Sequence, residues 1–289
     1  MERLSIMRLG TDCLPGVRLF CATLVGSYLV SGSAAQSDDV PFAYLAPQIS
    51  VAAPEARQGV ASDGRNLYAI DNSTIAKYRI VDGTLVARFE GSGAAFPHLN
   101  SCTVVGEELA CAASNYPDTP HRGTVEYFSV ANLAHLRTQE LPENPGSLTV
   151  FGDGPGGRWA VFANYDGKGG VQGQDHTATF YVELDGDYRI ARKWRLPASV
   201  LGRLAPCSIS GAARDKGERL YVSGHDKPEI YVLTFPEAGD VLHHVATFAT
   251  PTFGQAIDLD PDRAAFLWTI DRKSRTIRGM RLPETGVGK

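Results

Sequence analysis

The chain has 289 residues, 21% of them charged and 43% hydrophobic, with 30 Gly, 17 Pro and only 3 Met. Such a chain can bury a sizeable core and is neither disordered nor collagen-like in composition. A net charge of −4, with no Lys/Arg cluster, argues against nucleic-acid partners and anionic membranes.

Residues 1–35 read as an export signal. Arg3, Arg8 and Arg18 precede an apolar run from Leu19 to Val30, and Ser31, Gly32, Ser33, Ala34 and Ala35 follow it. A basic start, an apolar segment of about 12 residues and a small-residue end describe a secretory signal peptide. The run falls short of the roughly 20 residues a membrane helix needs, and no later stretch comes close. An uncleaved N-terminal anchor is the alternative. Cleavage after Ala35 leaves residues 36–289 as a single domain, expected to be periplasmic or secreted, monomeric and without a membrane span.

The segment PFAYLAPQISVA at 41–52 is the first strand-like stretch. After it, alternating apolar residues broken by Gly, Asp and Pro turns continue to the end, with no sustained helical period. One order of strands recurs. First strands begin near Gln58, Asn100, Gly146, Ser210 and Gln255; second strands are NLYAI, ELACAA, RWAVFA, RLYVSG and AFLWTI. Third strands are TIAKYRI, TVEYFSV, TATFYVEL, EIYVLTF and RTIRGMRL, and fourth strands are TLVARFE, HLRTQEL, YRIARKWRL and HHVATFAT. The fifth unit lacks a fourth strand, which the N-terminal segment can supply. Five starts at a mean spacing of about 49 residues match the repeat length of propeller blades. The expectation is an all-β fold, a five-bladed β-propeller closed by an N-terminal strand. A six-bladed propeller is the alternative, because the interval from 146 to 210 is long.

Three cysteines follow the signal. A two-residue turn at Gly106-Glu107 sets Cys102 opposite Cys111 across a hairpin. The pair is either a disulfide, which an oxidising compartment allows, or two small buried hydrophobes. Cys207 is left over.

In a four-stranded meander the connections alternate between two faces. Links from first to second and from third to fourth strand hold ordinary turn residues, such as Asp63-Gly64, Asp215 to Gly217 and Pro261-Asp262, and these need no function. The opposite rim collects different chemistry. Second strands end in Asp71-Asn72, Ser114-Asn115-Tyr116, Asn164-Tyr165-Asp166, Gly224-His225-Asp226 and Asp271-Arg272. Blade-to-blade links add Gln58, His98, Asn100, Cys207 and Gln255. Polar side chains on loops held by a rigid scaffold are what a ligand pocket requires.

The stretches Gln58-Gly59-Val60, His98-Leu99-Asn100-Ser101, Ser114-Asn115-Tyr116-Pro117, Phe162-Ala163-Asn164-Tyr165, Gly224 to Glu229 and Gly254-Gln255-Ala256-Ile257 carry a family resemblance. The chain resembles a group of largely uncharacterised bacterial propeller-like proteins, some labelled cycloisomerases by analogy of fold. The resemblance implies a propeller over nearly all of the mature chain, and no particular activity. It also implies histidines where this chain has Ala113 and Asn164, a departure that leaves His98 and His225 as the remaining metal candidates.

Two readings of the rim follow. In the first, an exported propeller binds a small polar molecule or glycan. Its ligand-binding residues are Gln58, Asn100, Asn115, Asn164, Asp226, Glu229 and Gln255. In the second, a lyase, isomerase or hydrolase uses His98 and His225 as base or as ligands to a divalent metal ion, with Tyr116 and Tyr165 as acid or stacking platform. No cofactor motif is present.

Overall fold

The computed structural model describes residues 40–154 and 156–283; residues 1–35, expected from the sequence to be an export signal, lie outside them. All belong to one compact unit spanning 39–289.

The strand repeat folds into five small sheets. Blade 1 runs Gly59–Ser62, Asn66–Ile70, Thr74–Arg79 and Leu85–Glu90 from axis to edge, and blade 2 runs Leu99–Val105, Glu108–Ser114, Gly123–Ser129 and His135–Glu140. Blade 3 comprises Ser147–Gly154, Gly157–Ala163, Phe180–Leu184 and Ile190–Arg195. Blade 4 holds Gly211–Arg214, Leu220–Ser223, Glu229–Thr234 and His243–Ala249, and blade 5 holds Asp258–Leu259, Phe266–Asp271 and Thr276–Arg281.

Successive side chains on a strand point to opposite faces, and here each face meets a neighbouring blade. On the second strand of blade 1, Leu67 and Ala69 pack with Phe266, Trp268 and Ile270 of blade 5. Tyr68 and Ile70, one residue out of phase, pack with Leu99, Leu109 and Phe128 of blade 2. The same division gives clusters between blades 2 and 3, 3 and 4, and 4 and 5. Five apolar clusters join five adjacent pairs, including last to first, so the sheets form a closed ring. This five-bladed β-propeller explains why strands such as LYAI read as continuous apolar runs: both faces are buried.

Closure uses the N-terminal segment, but not as one strand. Pro47–Ala52 pairs antiparallel with Thr276–Arg281 as the fourth strand of blade 5, with Val51 opposite Ile277. Phe42–Tyr44 instead runs parallel to His243–Ala249, Phe42 opposite Thr247, as a fifth strand on blade 4. Leu45 then anchors between these blades, 2% exposed, and its N–H donates to the Ala249 carbonyl at 2.8 Å. The interval that left room for a sixth blade holds a long loop at 164–179 and a short helix, Ala198–Leu204, whose Val200 and Leu204 enter the core between blades 3 and 4.

The hairpin at Gly106 has the register expected from its turn: Val105 faces Glu108, and Cys102 faces Cys111. The two cysteines form a disulfide. Near the axis the first strands crowd each other. A Cβ on Gly59 would lie 2.5 Å from Ala256 Cβ, and one on Gly211 would lie 2.5 Å from Ala256 Cα. Glycine there allows the Ala256 N–H to donate to the Gln58 carbonyl at 3.0 Å.

Candidate functional site

Two cavities open at opposite ends of the propeller axis. The one of about 350 Å³ lies on the rim of second-to-third and blade-to-blade links. Its walls include Gln58, His98, Asn100, Tyr116, Tyr165, Cys207, Ser210, His225, Gln255 and Arg272. Every blade contributes.

Local backbone geometry places these groups. Gly254, at φ +57°, sits so close to Gly224 and His225 that a Cβ would lie 2.3 Å from the His225 carbonyl oxygen. That approach lets the Gln255 N–H donate to the Gly224 carbonyl at 2.9 Å. Gln255 is itself left-handed, at φ +71°, a costly conformation for a residue with a side chain. On the other wall, the Gly169 backbone, at φ +81°, lies against the Tyr116 ring, where a Cβ would clash at 2.3 Å. The rings of His98 and Tyr116 are 5.2 Å apart, and those of Tyr116 and Tyr165 are 5.3 Å apart and edge-on. One side of the cavity is therefore aromatic.

The other side is polar and donor-rich. His225 Nδ1 lies 2.5 Å from Asp226 Oδ1, and His225 Nε2 lies 3.2 Å from Arg272 Nη1. A guanidinium has no acceptor, so Nε2 accepts from Arg272 and Nδ1–H donates to Asp226, which makes the imidazole neutral. Gln255 is 4% exposed, yet its side-chain amide makes no hydrogen bond among the described residues. The Tyr116 hydroxyl likewise has no hydrogen-bond partner among them. Buried polar groups are normally paired, so the Gln255 side chain is free for a ligand, and the half-exposed Tyr116 hydroxyl is open to one as well.

Burial dominates the titration behaviour here. It drives the His98 imidazole down to about 4, only partly offset by the Asn100 side chain. It pushes the Cys207 thiol up to about 11, helped by the Asp226 carboxylate. The Tyr165 and Tyr116 phenols are also raised by burial. At neutral pH His98 is uncharged and weakly basic, while the thiol and phenols keep their protons. A thiolate nucleophile or a base matched to pH 7 would need the opposite shifts.

Sulfur, imidazole and carboxylate atoms of Cys207, His225 and Asp226 lie within 4.8 Å of one another, close enough to hold a metal ion. The donor set fits one poorly. Arg272 covers the His225 Nε2 lone pair with a cation, and the thiol holds its proton.

Several rim residues singled out from the sequence have their polar groups engaged elsewhere. Asn115 bridges its own loop, donating to the Pro120 carbonyl and accepting from the Arg122 N–H. Asn164 is fully buried and its Nδ2 donates to the Pro145 and Ala178 carbonyls, while its Oδ1 has no partner among the described residues. Glu229 accepts from Arg203 at 2.5 Å and from the Tyr231 hydroxyl; burial works to raise its carboxyl, but these partners leave it below its ordinary value. None of the three lines the cavity, and Asp226 reaches it only through His225. Sequence reasoning passed over Arg272 and Cys207 as site residues, although both lay on the rim it singled out.

The opposite cavity, of about 620 Å³, lies on the face expected to hold only turns. It is lined by Asp215, Asp258, Asp260, Arg214 and Arg263, among others. Its charges are largely spent on each other. Arg263 pairs with Asp260 at 2.7 Å, Arg214 with Glu218 at 3.2 Å, and Asp215 with Arg219 at 2.8 Å. Asp258 differs: it accepts the Ser62 and Leu259 N–H groups, and burial in the channel pushes its carboxyl up to about 8. The Gln255 amide and the Tyr116 hydroxyl, which have no hydrogen-bond partner among the described residues, lie instead at the smaller cavity.

No family model matches the chain, and no curated protein matches it. Solved structures that it resembles share little sequence. The PQQ-bound aldose sugar dehydrogenase from Streptomyces coelicolor is 14% identical with a TM-score of 0.46, covering 83% of this chain and 82% of that one. The β-propeller domain of Cps50 (Swd1) from Myceliophteria thermophila is 14% identical with a TM-score of 0.37, covering 78% and 83%. A chain of the mitotic checkpoint complex is 7% identical with a TM-score of 0.43, covering 92% and 99%.

Proposed function

We propose that this is an exported propeller that binds a small polar molecule, a sugar or a similar polyol derivative, in the rim cavity without turning it over. The observation that carries this reading is the Gln255 amide. The residue is 4% exposed, its backbone is left-handed, and its amide is unpaired among the described residues, beside a cavity large enough for a small ligand. Tyr116 and Tyr165 offer ring faces for the apolar side of a pyranose. Gln58 and Asn100 also line the cavity, but their amide N–H groups already serve Asn72, Ser114 and the Leu148 carbonyl; their role is to hold the cavity's shape. The signal-like N-terminus and the Cys102–Cys111 disulfide support an oxidising location outside the cytoplasm.

A lyase, isomerase or hydrolase would draw on the pairing of His225 with Asp226. The Arg272 donor on His225 Nε2 and the depressed His98 leave that reaction without a free base of suitable strength, so binding is the stronger reading.

The test is a thermal-shift panel of glucose, galactose, sorbitol, glucuronate, galacturonate and gluconate. At least one member should raise the melting temperature by several degrees, and Gln255→Ala should remove that shift without lowering the unliganded melting temperature. No shift with any member, or a shift that survives Gln255→Ala, refutes the proposal.

A further inference from the structure

Arg272 begins the turn after Phe266–Asp271, and its half-buried side chain reaches the cavity beside His225. Buried guanidiniums are ordinarily neutralised, and arginines at the opposite cavity follow that rule: Arg214 sits against Glu218 and Arg263 against Asp260. Arg272 does not. Among the described residues no carboxylate lies within 4 Å of it, and its hydrogen bond goes to a neutral imidazole.

The nearest acids are committed. Asp226 Oδ1 is occupied by His225 Nδ1–H, and Asp166 by the backbone and ring of His176. Cations surround the same spot. Burial lowers the Arg272 pKa, and Arg57 and Arg275 lower it further, outweighing the attraction of Asp226. Lys168 is the second cationic side chain on the cavity wall. The Tyr116 phenol stays protonated and unpaired among the described residues, so it too presents a donor, whereas the Cys207 thiol is engaged with Asp226 and the Tyr165 phenol with Ser147.

We infer that the ligand of the rim cavity is a small hydroxylated carboxylate, such as a sugar acid, whose anionic group is received by Arg272 while Gln255 and Tyr116 bind its hydroxyls. A guanidinium offers five donors in a planar fork that matches two carboxylate oxygens. With one donor on His225, the others are available on the cavity side. The cation that the fold leaves without a counter-ion is completed by the ligand. This inference rests on the rim cavity being the ligand site, and it adds charge selectivity to that reading.

The experiment compares carboxylates with their neutral counterparts: glucuronate with glucose, galacturonate with galactose, gluconate with sorbitol. Affinities are measured by calorimetry on the native chain, Arg272→Gln, Arg272→Lys and Gln255→Ala. A charge-assisted anchor predicts a preference of about 10- to 100-fold for a carboxylate over its neutral partner. Arg272→Gln should abolish that preference. Arg272→Lys, which keeps the charge but loses the fork, should retain part of it, and it guards against a folding defect in the Gln variant. Neutral sugars that bind as well as the acids, with sensitivity to Gln255→Ala but not to Arg272→Gln, overturn the charge assignment and leave the rim site standing. Carboxylate binding indifferent to both Gln255→Ala and Arg272→Gln overturns the site itself. Absence of binding by every carboxylate at about 10 mM, well above the millimolar range of weak ligands, overturns the assignment of ligand class. A uronate at the end of an acidic glycan is distinguished from a free sugar acid by adding trigalacturonate: tighter binding than the monomer points to the glycan.

Discussion

The N-terminal segment clasps two blades, and successive truncations should therefore fail unequally. The reference is a chain beginning at Val40. Starting instead at Pro47 removes Phe42–Tyr44 and Leu45. Phe42 and Tyr44 are 64% and 63% exposed, so little apolar burial goes with them, whereas Leu45 is 2% exposed. Losing one buried Leu costs about 2–3 kcal/mol, and the propeller stays closed. Starting at Ala53 also removes Pro47–Ala52, with five registered pairs to Thr276–Arg281 and the buried Val51. At roughly 1 kcal/mol per ladder bond and about 2 kcal/mol for Val51, the further loss is about 7 kcal/mol. That is comparable with the whole stability of a typical domain, about 5–15 kcal/mol. Urea unfolding followed by circular dichroism should show a modestly lowered midpoint for the first truncation and no cooperative transition for the second. Equal midpoints for the two truncations would refute closure through Pro47–Ala52.

Three further outcomes follow from the same contacts. The folded Asp258 carboxyl keeps its proton to about pH 8, while the unfolded one loses it near 3.8; the folded state binds more protons in that window, so this group's contribution to stability falls as pH rises from about 4 to about 8 and is level above it. Asp258→Asn should remove that slope, so urea midpoints of native and variant should converge at low pH and separate by pH 8, with the variant higher; parallel profiles would contradict the raised carboxyl. Gly59→Ala drives a methyl into Ala256 and should cost about 1–3 kcal/mol by overpacking, read as a lower melting temperature; an unchanged value would mean the first strands are not in contact at the axis. Gln255→Gly relieves the left-handed strain and should gain about 0.5–1 kcal/mol while weakening ligand binding, and loss of stability would show that the amide serves the fold.

The blades were legible because strand alternation and Gly/Asp turns are local signals that recur. The split of the N-terminal segment was not, because FAYLAPQISV is apolar throughout and nothing in it marks where one blade hands over to the next. The helix Ala198–Leu204 has seven residues, less than two full turns, too few for a helical period to register. At the site, position on the rim was readable for His98, Tyr116, Tyr165, His225 and Gln255. Whether an amide there is free was not: Asn115, Asn164 and Gln255 look alike in sequence, and of the three only Gln255 lines the cavity with a side chain that makes no hydrogen bond among the described residues. The place of Arg272 at the end of a second strand, where other blades have Asn, Asp or Gly, was a visible oddity. Its meaning depends on the missing counter-ion, which only the three-dimensional arrangement reveals.

The most direct measurement is a crystallographic map of the protein soaked in the mixed panel of sugars and sugar acids. Expected is ordered density in the rim cavity, between the Tyr116 ring and Gln255, within hydrogen-bond distance of both. Density confined to the opposite mouth beside Asp258, or none at either end of the channel, contradicts a ligand site at the rim.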